Sequence, residues 1–211
     1  MTAAADIIFP PRVREEQRRR GSRETYEARE HKRPWPDEVR PDLEAFLATL
    51  DTAFLGTVSR EGRPYIQHRG GPKGFIKVID RKTLAFADFA GNRQYITLAN
   101  LAENDNAYLF LLDFATRQRV KVWGRARVVE NDPELLARLV DTGYRGRPER
   151  AIVFTIEAWD TNCQSHITAR YSEAEVRQAT AALIERIAAL EAEIAALKAQ
   201  AAQCSSAPPA G

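Results

Sequence analysis

Apolar and polar positions alternate most clearly between residues 119 and 130. Val120, Val122, Ala126 and Val128 alternate with Arg119, Lys121, Trp123, Arg125 and Arg127. A period of two belongs to a strand with one face inside and the other outside. Shorter strands are predicted over residues 54–59 and 64–69, joined by a glycine-containing turn, and over 75–80 and 83–88, joined around Arg81-Lys82. Residues 107–112 and 151–158 complete the set. Between the strands the period lengthens. Leu43, Phe46, Leu47 and Leu50 share one face of a helix opened by Pro41. Further helices are predicted from about Asn92 to Glu103, and from Asp132-Pro133-Glu134 to about Val140. Many short, locally paired strands with helices between them predict an α+β domain, mainly β, built as a small antiparallel barrel with helical plugs.

The two ends differ from this middle. In residues 1–40, arginines at 12, 14, 18, 19, 20 and 23 alternate with Glu15, Glu16, Glu24 and Glu27. They predict a solvated helical arm from about Val13 to His31, followed by an extended Pro-Trp-Pro passage. Near the other end, Ser172-Glu173-Ala174-Glu175 has the form of a capping box. After it, Val176, Thr180, Leu183, Ile187, Leu190, Ile194, Leu197 and Ala201 recur at alternating steps of four and three. Isoleucine then falls at heptad position a and leucine at d, the choice that favours a parallel two-stranded coiled coil. The alternative is one amphipathic helix lying on its own barrel. The expected organisation is an arm at 1–40, a barrel domain at 41–170, a C-terminal helix at 171–203 and a disordered tail at 204–211.

Composition narrows the class. The 211 residues suffice for one domain with appendages, and 44% hydrophobic residues can build a core. A net charge of +2 is too balanced to argue for nucleic acid. Two cysteines, Cys163 and Cys204, make no disulfide framework, so a cytoplasmic location is expected. No apolar run is long enough for a membrane span, and the first residues lack the pattern of a signal peptide.

Two polar clusters interrupt the barrel pattern. Gln67-His68-Arg69-Gly70-Gly71 ends a strand, and Gly91-Asn92-Arg93-Gln94 stands where a helix opens. Helix N-termini favour anions, and arginine adds a forked donor matched to phosphate. The plainer alternatives are N-capping by Asn92 and a loop ion pair at Arg69. Trp123 among outward basic residues predicts cover by a partner subunit or by a flat ring. Cys163 and His166 could be a nucleophile and its base. Their spacing in an extended segment and the lack of a third orienting group argue against that, and two ligands are too few for a metal.

Together these segments resemble a known family. Phe54-Leu-Gly-Thr-Val-Ser, Gly62-Arg-Pro-Tyr-Ile-Gln-His-Arg-Gly-Gly, Thr83-Leu-Ala-Phe-Ala-Asp, Asn100-Leu-Ala-Glu-Asn and Val120-Lys-Val-Trp-Gly-Arg-Ala look like the FMN-binding split barrel of pyridoxamine 5′-phosphate oxidase and its relatives, over roughly residues 45–160. The resemblance implies a six-stranded antiparallel split barrel and a homodimer with FMN at its interface. It implies Gln67, His68, Arg69, Asn92, Arg93 and Gln94 at the phosphate, and Arg119, Lys121 and Trp123 near the flavin ring. Further contacts are implied from Trp159 through His166. The Arg-Leu-His motif that the vitamin B6 oxidases use for substrate is absent, which points to a relative with another substrate. The expectation is an FMN-dependent oxidoreductase taking electrons from a donor such as NAD(P)H, with no nucleic acid or membrane partner. A non-catalytic flavin sensor, or the same barrel holding haem or F420, are the alternatives.

Overall fold

A computed structural model of the chain describes residues 3–161 and 164–205. Two compact units divide it, Met1–Thr168 and Ala169–Gly211. The first holds seven strands in one antiparallel sheet: β1 (Thr52–Val58), β2 (Pro64–Gly70), β3 (Lys77–Asp80), β4 (Thr83–Phe89), β5 (Asn106–Asp113), β6 (Gln118–Val129) and β7 (Pro148–Thr161). Their order is β2-β1-β5-β6-β7-β4-β3. Seven strands match the seven segments predicted from the pattern, where the resemblance implied six, and the short β3 pairs with β4 alone at an edge.

The alternation in β6 is realised. Val120, Val122, Gly124 and Ala126 are buried, and Lys121, Trp123 and Arg125 between them are exposed or half-buried. Leu55, Leu84, Phe86, Leu109, Leu111, Ile152, Phe154 and Ile156 join them in one core, closed at one end by Leu43, Phe46 and Leu47 of α4 (Pro41–Thr49). Burying a side chain of this size stabilises by about 1.5–3 kcal/mol, so the curled sheet and α4 form one cooperative body. A smaller cluster lies where α6 (Pro133–Leu139) meets Ala85, Ala87, Ala151 and Val153, which buries the middle of β4 on both faces. Asp132 caps α6 as expected, accepting from the Leu135 N–H at 2.9 Å.

The N-terminal segment forms three helices where one was expected: α1 (Ala4–Ile8), α2 (Pro11–Arg19) and α3 (Arg23–Lys32). Pro10-Pro11 separates the first two, and Gly21, with φ of 75°, ends the second. The segment is more than a solvated arm. Ile8 and Trp35 are buried with Ala158, and Phe9, Tyr26 and Trp123 pack around them.

One further helix of this unit, α5 (Ile96–Glu103), bears on function. The buried Asn100 donates from Nδ2 to the Thr57 hydroxyl at 3.0 Å, which fixes α5 against β1. The second unit is α7 (Glu173–Ser205). Its capping box is complete: Glu175 accepts from the Ser172 N–H at 2.8 Å, and the Glu175 N–H donates to the Ser172 hydroxyl at 3.2 Å. The helix runs two residues past the expected end at 203. The remainder of the expected disordered tail, 206–211, lies outside the described residues, as does Cys163.

Candidate functional site

In the order of the sheet, β2 stands at one edge and β4 next to the other. The Arg69 guanidinium of β2 nevertheless pairs with the Asp88 carboxylate of β4. The sheet therefore curls until its two margins meet, and polar side chains fill the seam. Gln67 Oε1 accepts there from Arg69 at 3.0 Å and from the Thr97 hydroxyl at 2.8 Å. Two donors on the oxygen fix the orientation of the amide and leave its N–H₂ as the donor it offers. Across the seam, Arg150 of β7 sits opposite Asp88 in the strand register and donates to it at 3.2 Å. Arg150 also pairs with Glu149 at 3.0 Å and Glu130 at 3.2 Å, and its guanidinium lies 5.6 Å from the Tyr95 ring centre.

Beside this network is a cleft of about 180 Å³, lined by Gln67, Arg69, Asn92, Arg93, Thr97 and Arg150 together with Asp88, Glu149 and neighbouring loop residues. The two polar clusters singled out in the sequence thus converge on one place. Three arginines and two carboxylates line the cleft; with Glu130 on Arg150 and Arg147 on Glu149, four arginines stand against three carboxylates, which leaves an excess positive charge. The Arg69 Nε atom is buried without a hydrogen-bond partner, and the Arg150 Nε lies 3.2 Å from the Glu130 carboxylate without a hydrogen bond to it. Arginine forks, a primary amide and an asparagine are the donor set that a phosphate requires.

The local geometry differs from the expected helix opening. Residues 92–95 form a loop, and α5 starts only at Ile96. Asn92 does not cap that helix. Its Oδ1 accepts from the Gln94 N–H at 3.1 Å, closing a turn within the loop. Arg93 and Tyr95 have φ of 58° and 55°. This left-handed region is costly for a side chain and is held only where the surroundings impose it. The Asn100–Thr57 bond anchors the helix that follows, and the loop carries Arg93 out beside Arg69.

Not every expected residue is here. His68 alternates to the opposite face of β2 and meets Phe54 edge-on, with ring centres 5.9 Å apart. Gln94 is exposed and does not line the cleft. Arg119, Lys121 and Trp123 sit on the outer face of β6. Lys121 pairs with Asp160 at 3.7 Å, and Asp160 in turn holds Arg29 at 2.9 Å. Trp123 stacks edge-on against Tyr108 and is partly covered by the chain's own N-terminal segment. Burial pushes the Tyr108 phenol up to about 12. Trp159 is a core residue whose indole N–H donates to the Glu38 carbonyl at 2.8 Å. His166 is an exposed turn residue with φ of 65°.

Sequence reasoning missed Asp88, Thr97, Glu149 and Arg150. Asp88 had a visible signal, a carboxylate closing an otherwise apolar strand. Arg150 had none, because only the β4–β7 register brings it opposite Asp88.

The family model of pyridoxamine 5′-phosphate oxidase matches residues 39–163, more than half of the chain. The chain belongs to the pyridoxamine 5′-phosphate oxidase family. Its curled sheet is that family's split barrel, here with seven strands. Similar solved structures include HupZ of Group A Streptococcus, 18% identical with a TM-score of 0.49, over 63% of this chain and 99% of that one. An FMN-binding protein from Syntrophomonas wolfei subsp. wolfei is 19% identical with a TM-score of 0.46, over 57% and 83%. The FAD binding protein from Mycobacterium smegmatis is 17% identical with a TM-score of 0.41, over 60% and 97%. No curated protein sequence matches the chain. Among the described residues no helix is long and apolar enough to cross a membrane.

Proposed function

We propose that this protein binds FMN, with the phosphate in the cleft between Arg69, Arg93 and Arg150, and acts as an FMN-dependent oxidoreductase with a donor such as NAD(P)H. The observation that carries the reading is the convergence of Gln67 and Arg69, Asn92 and Arg93, and Arg150, from three separate segments, on one cleft. Family membership supports a flavin as the phosphate's owner. Flavin, when bound, supplies hydride and electron transfer. The chain's part is to hold and orient it. Arg93 is exposed and forms no ion pair among the described residues, so it offers a full forked donor. Arg69 and Arg150 are kept in place by the shared Asp88, and Glu149 and Glu130 also attend Arg150, so Arg93 supplies the charge left free to face an anion. Arg119 and Lys121 are the cations proposed for the ring end, with the flavin held between two copies of the chain. Absence of the Arg-Leu-His motif argues against vitamin B6 oxidation.

The test compares FMN with riboflavin in fluorescence titrations. A phosphate gripped by charge-assisted bonds should make FMN bind at least about tenfold more tightly than riboflavin. Equal affinities would remove the cleft from the flavin site.

A further inference from the structure

A 33-residue helix, α7, makes up the second unit, and its length of about 50 Å follows from its rise per residue. Leu183, Ile184, Ile187, Leu190, Ile194 and Leu197 are each between 39% and 64% exposed. Five of them occupy a and d positions, and Ile184, at e, widens the stripe. Positions b and c of the same heptads hold only alanine: 181, 182, 188, 189, 195 and 196. The helix therefore has one seam of large apolar side chains, and its other faces need no cover.

We propose that this seam docks against α7 of a second copy of the chain as a parallel, in-register, two-stranded coiled coil. Charge complementarity identifies the occupant. In a parallel pair the g residue of one helix meets the following e residue of the other. Arg186 then faces Glu191 of the second copy, and Glu193 faces Lys198, so both pairs join opposite charges. Isoleucine at a with leucine at d is the core composition of parallel dimers. Thr180, at the first a position, is accommodated because its hydroxyl donates to the Val176 carbonyl at 2.8 Å. An anionic membrane surface is the poorer partner. Residues 173–198 carry Glu173, Glu175, Glu185, Glu191 and Glu193 against Arg177, Arg186 and Lys198, where surface-bound helices concentrate lysine and arginine. The pairing is independent of the flavin reading.

Disulfide trapping in the full-length protein tests the proposal. With Cys163 and Cys204 replaced by serine, single cysteines are introduced at d as Leu183→Cys or Leu197→Cys, and at the outward f position as Ala192→Cys. Under mild oxidation both d variants should form interchain disulfides about tenfold faster or more than Ala192→Cys, because only the d positions bring the β-carbons within bonding distance. Circular dichroism of each variant confirms that the helix persists. Similar rates at all three positions would overturn the proposal, as would a seam that docks elsewhere. Cross-linking confined to mixtures of Leu183→Cys with Leu197→Cys would show an antiparallel pair and overturn it too.

Discussion

Asp88→Asn is the most revealing single substitution in the seam. It preserves the side chain's shape and removes one charge. The Asp88 side chain is 7% exposed, and those of Arg69 and Arg150 are 11% and 13% exposed. At 3.2 Å and an effective dielectric of about 20, the Arg150 contact has a gross attraction of about 5 kcal/mol. Breaking one partner of a buried pair costs about 3–5 kcal/mol, because the other charge stays desolvated. Glu149 and Glu130 still attend Arg150, so the lower end, about 3 kcal/mol, is expected. For a chain of this size that lowers Tm by roughly 6–12 °C. The variant should also gain more from FMN or inorganic phosphate than the wild type does, since an anion replaces the missing carboxylate. Thermal unfolding with and without each ligand measures both effects. An unchanged Tm would refute the account of the seam. A ligand gain no larger than in wild type would refute the claim that this charge cluster receives the phosphate.

Arg93→Ala should weaken FMN binding by about 1–3 kcal/mol, the scale of a lost charge-assisted hydrogen bond, and unchanged affinity in a titration would remove Arg93 from the site. Gly124→Ala would place a β-carbon 2.0 Å from the Thr155 carbonyl oxygen at the bulge between β6 and β7. A loss of roughly 3 kcal/mol is expected from urea unfolding, and a wild-type midpoint would show that the bulge yields. The Tyr108 phenol, raised from 10.0 to about 12, stays protonated in the native state while the unfolded chain loses the proton. Its contribution is complete below pH 10 and lost as pH rises towards 12, so Tyr108→Phe should flatten the alkaline decline of Tm; parallel curves for the two proteins would refute this.

Most of the fold was legible because it rests on periodicity. The alternation in β6, the apolar face of α4 and the caps at Asp132 and Ser172 are local patterns, and local patterns survive folding. The site was half legible. Arg69 and Arg93 carried a chemical signal in the sequence, yet their meeting needed the closure of the sheet. Asp88 and Arg150 became visible only through strand register, which no local pattern states. His68 was misplaced by one residue's alternation, since neighbours on a strand face opposite ways. The loop at 92–95 defeated a capping argument because left-handed Arg93 and Tyr95 delay the helix. The arm was read as solvated because its charges outnumber its few apolar residues, and those few, Ile8 and Trp35, are the ones that dock.

The central claim is that the Arg69–Arg93–Arg150 cleft holds the phosphate of a flavin. Its most direct measurement is equilibrium binding of FMN to the purified full-length protein, followed by flavin fluorescence and by visible absorption. The account predicts a yellow complex with one FMN per chain, whose affinity falls with Arg93→Ala and is displaced toward weaker binding by inorganic phosphate. A colourless protein that leaves added FMN unbound would contradict it.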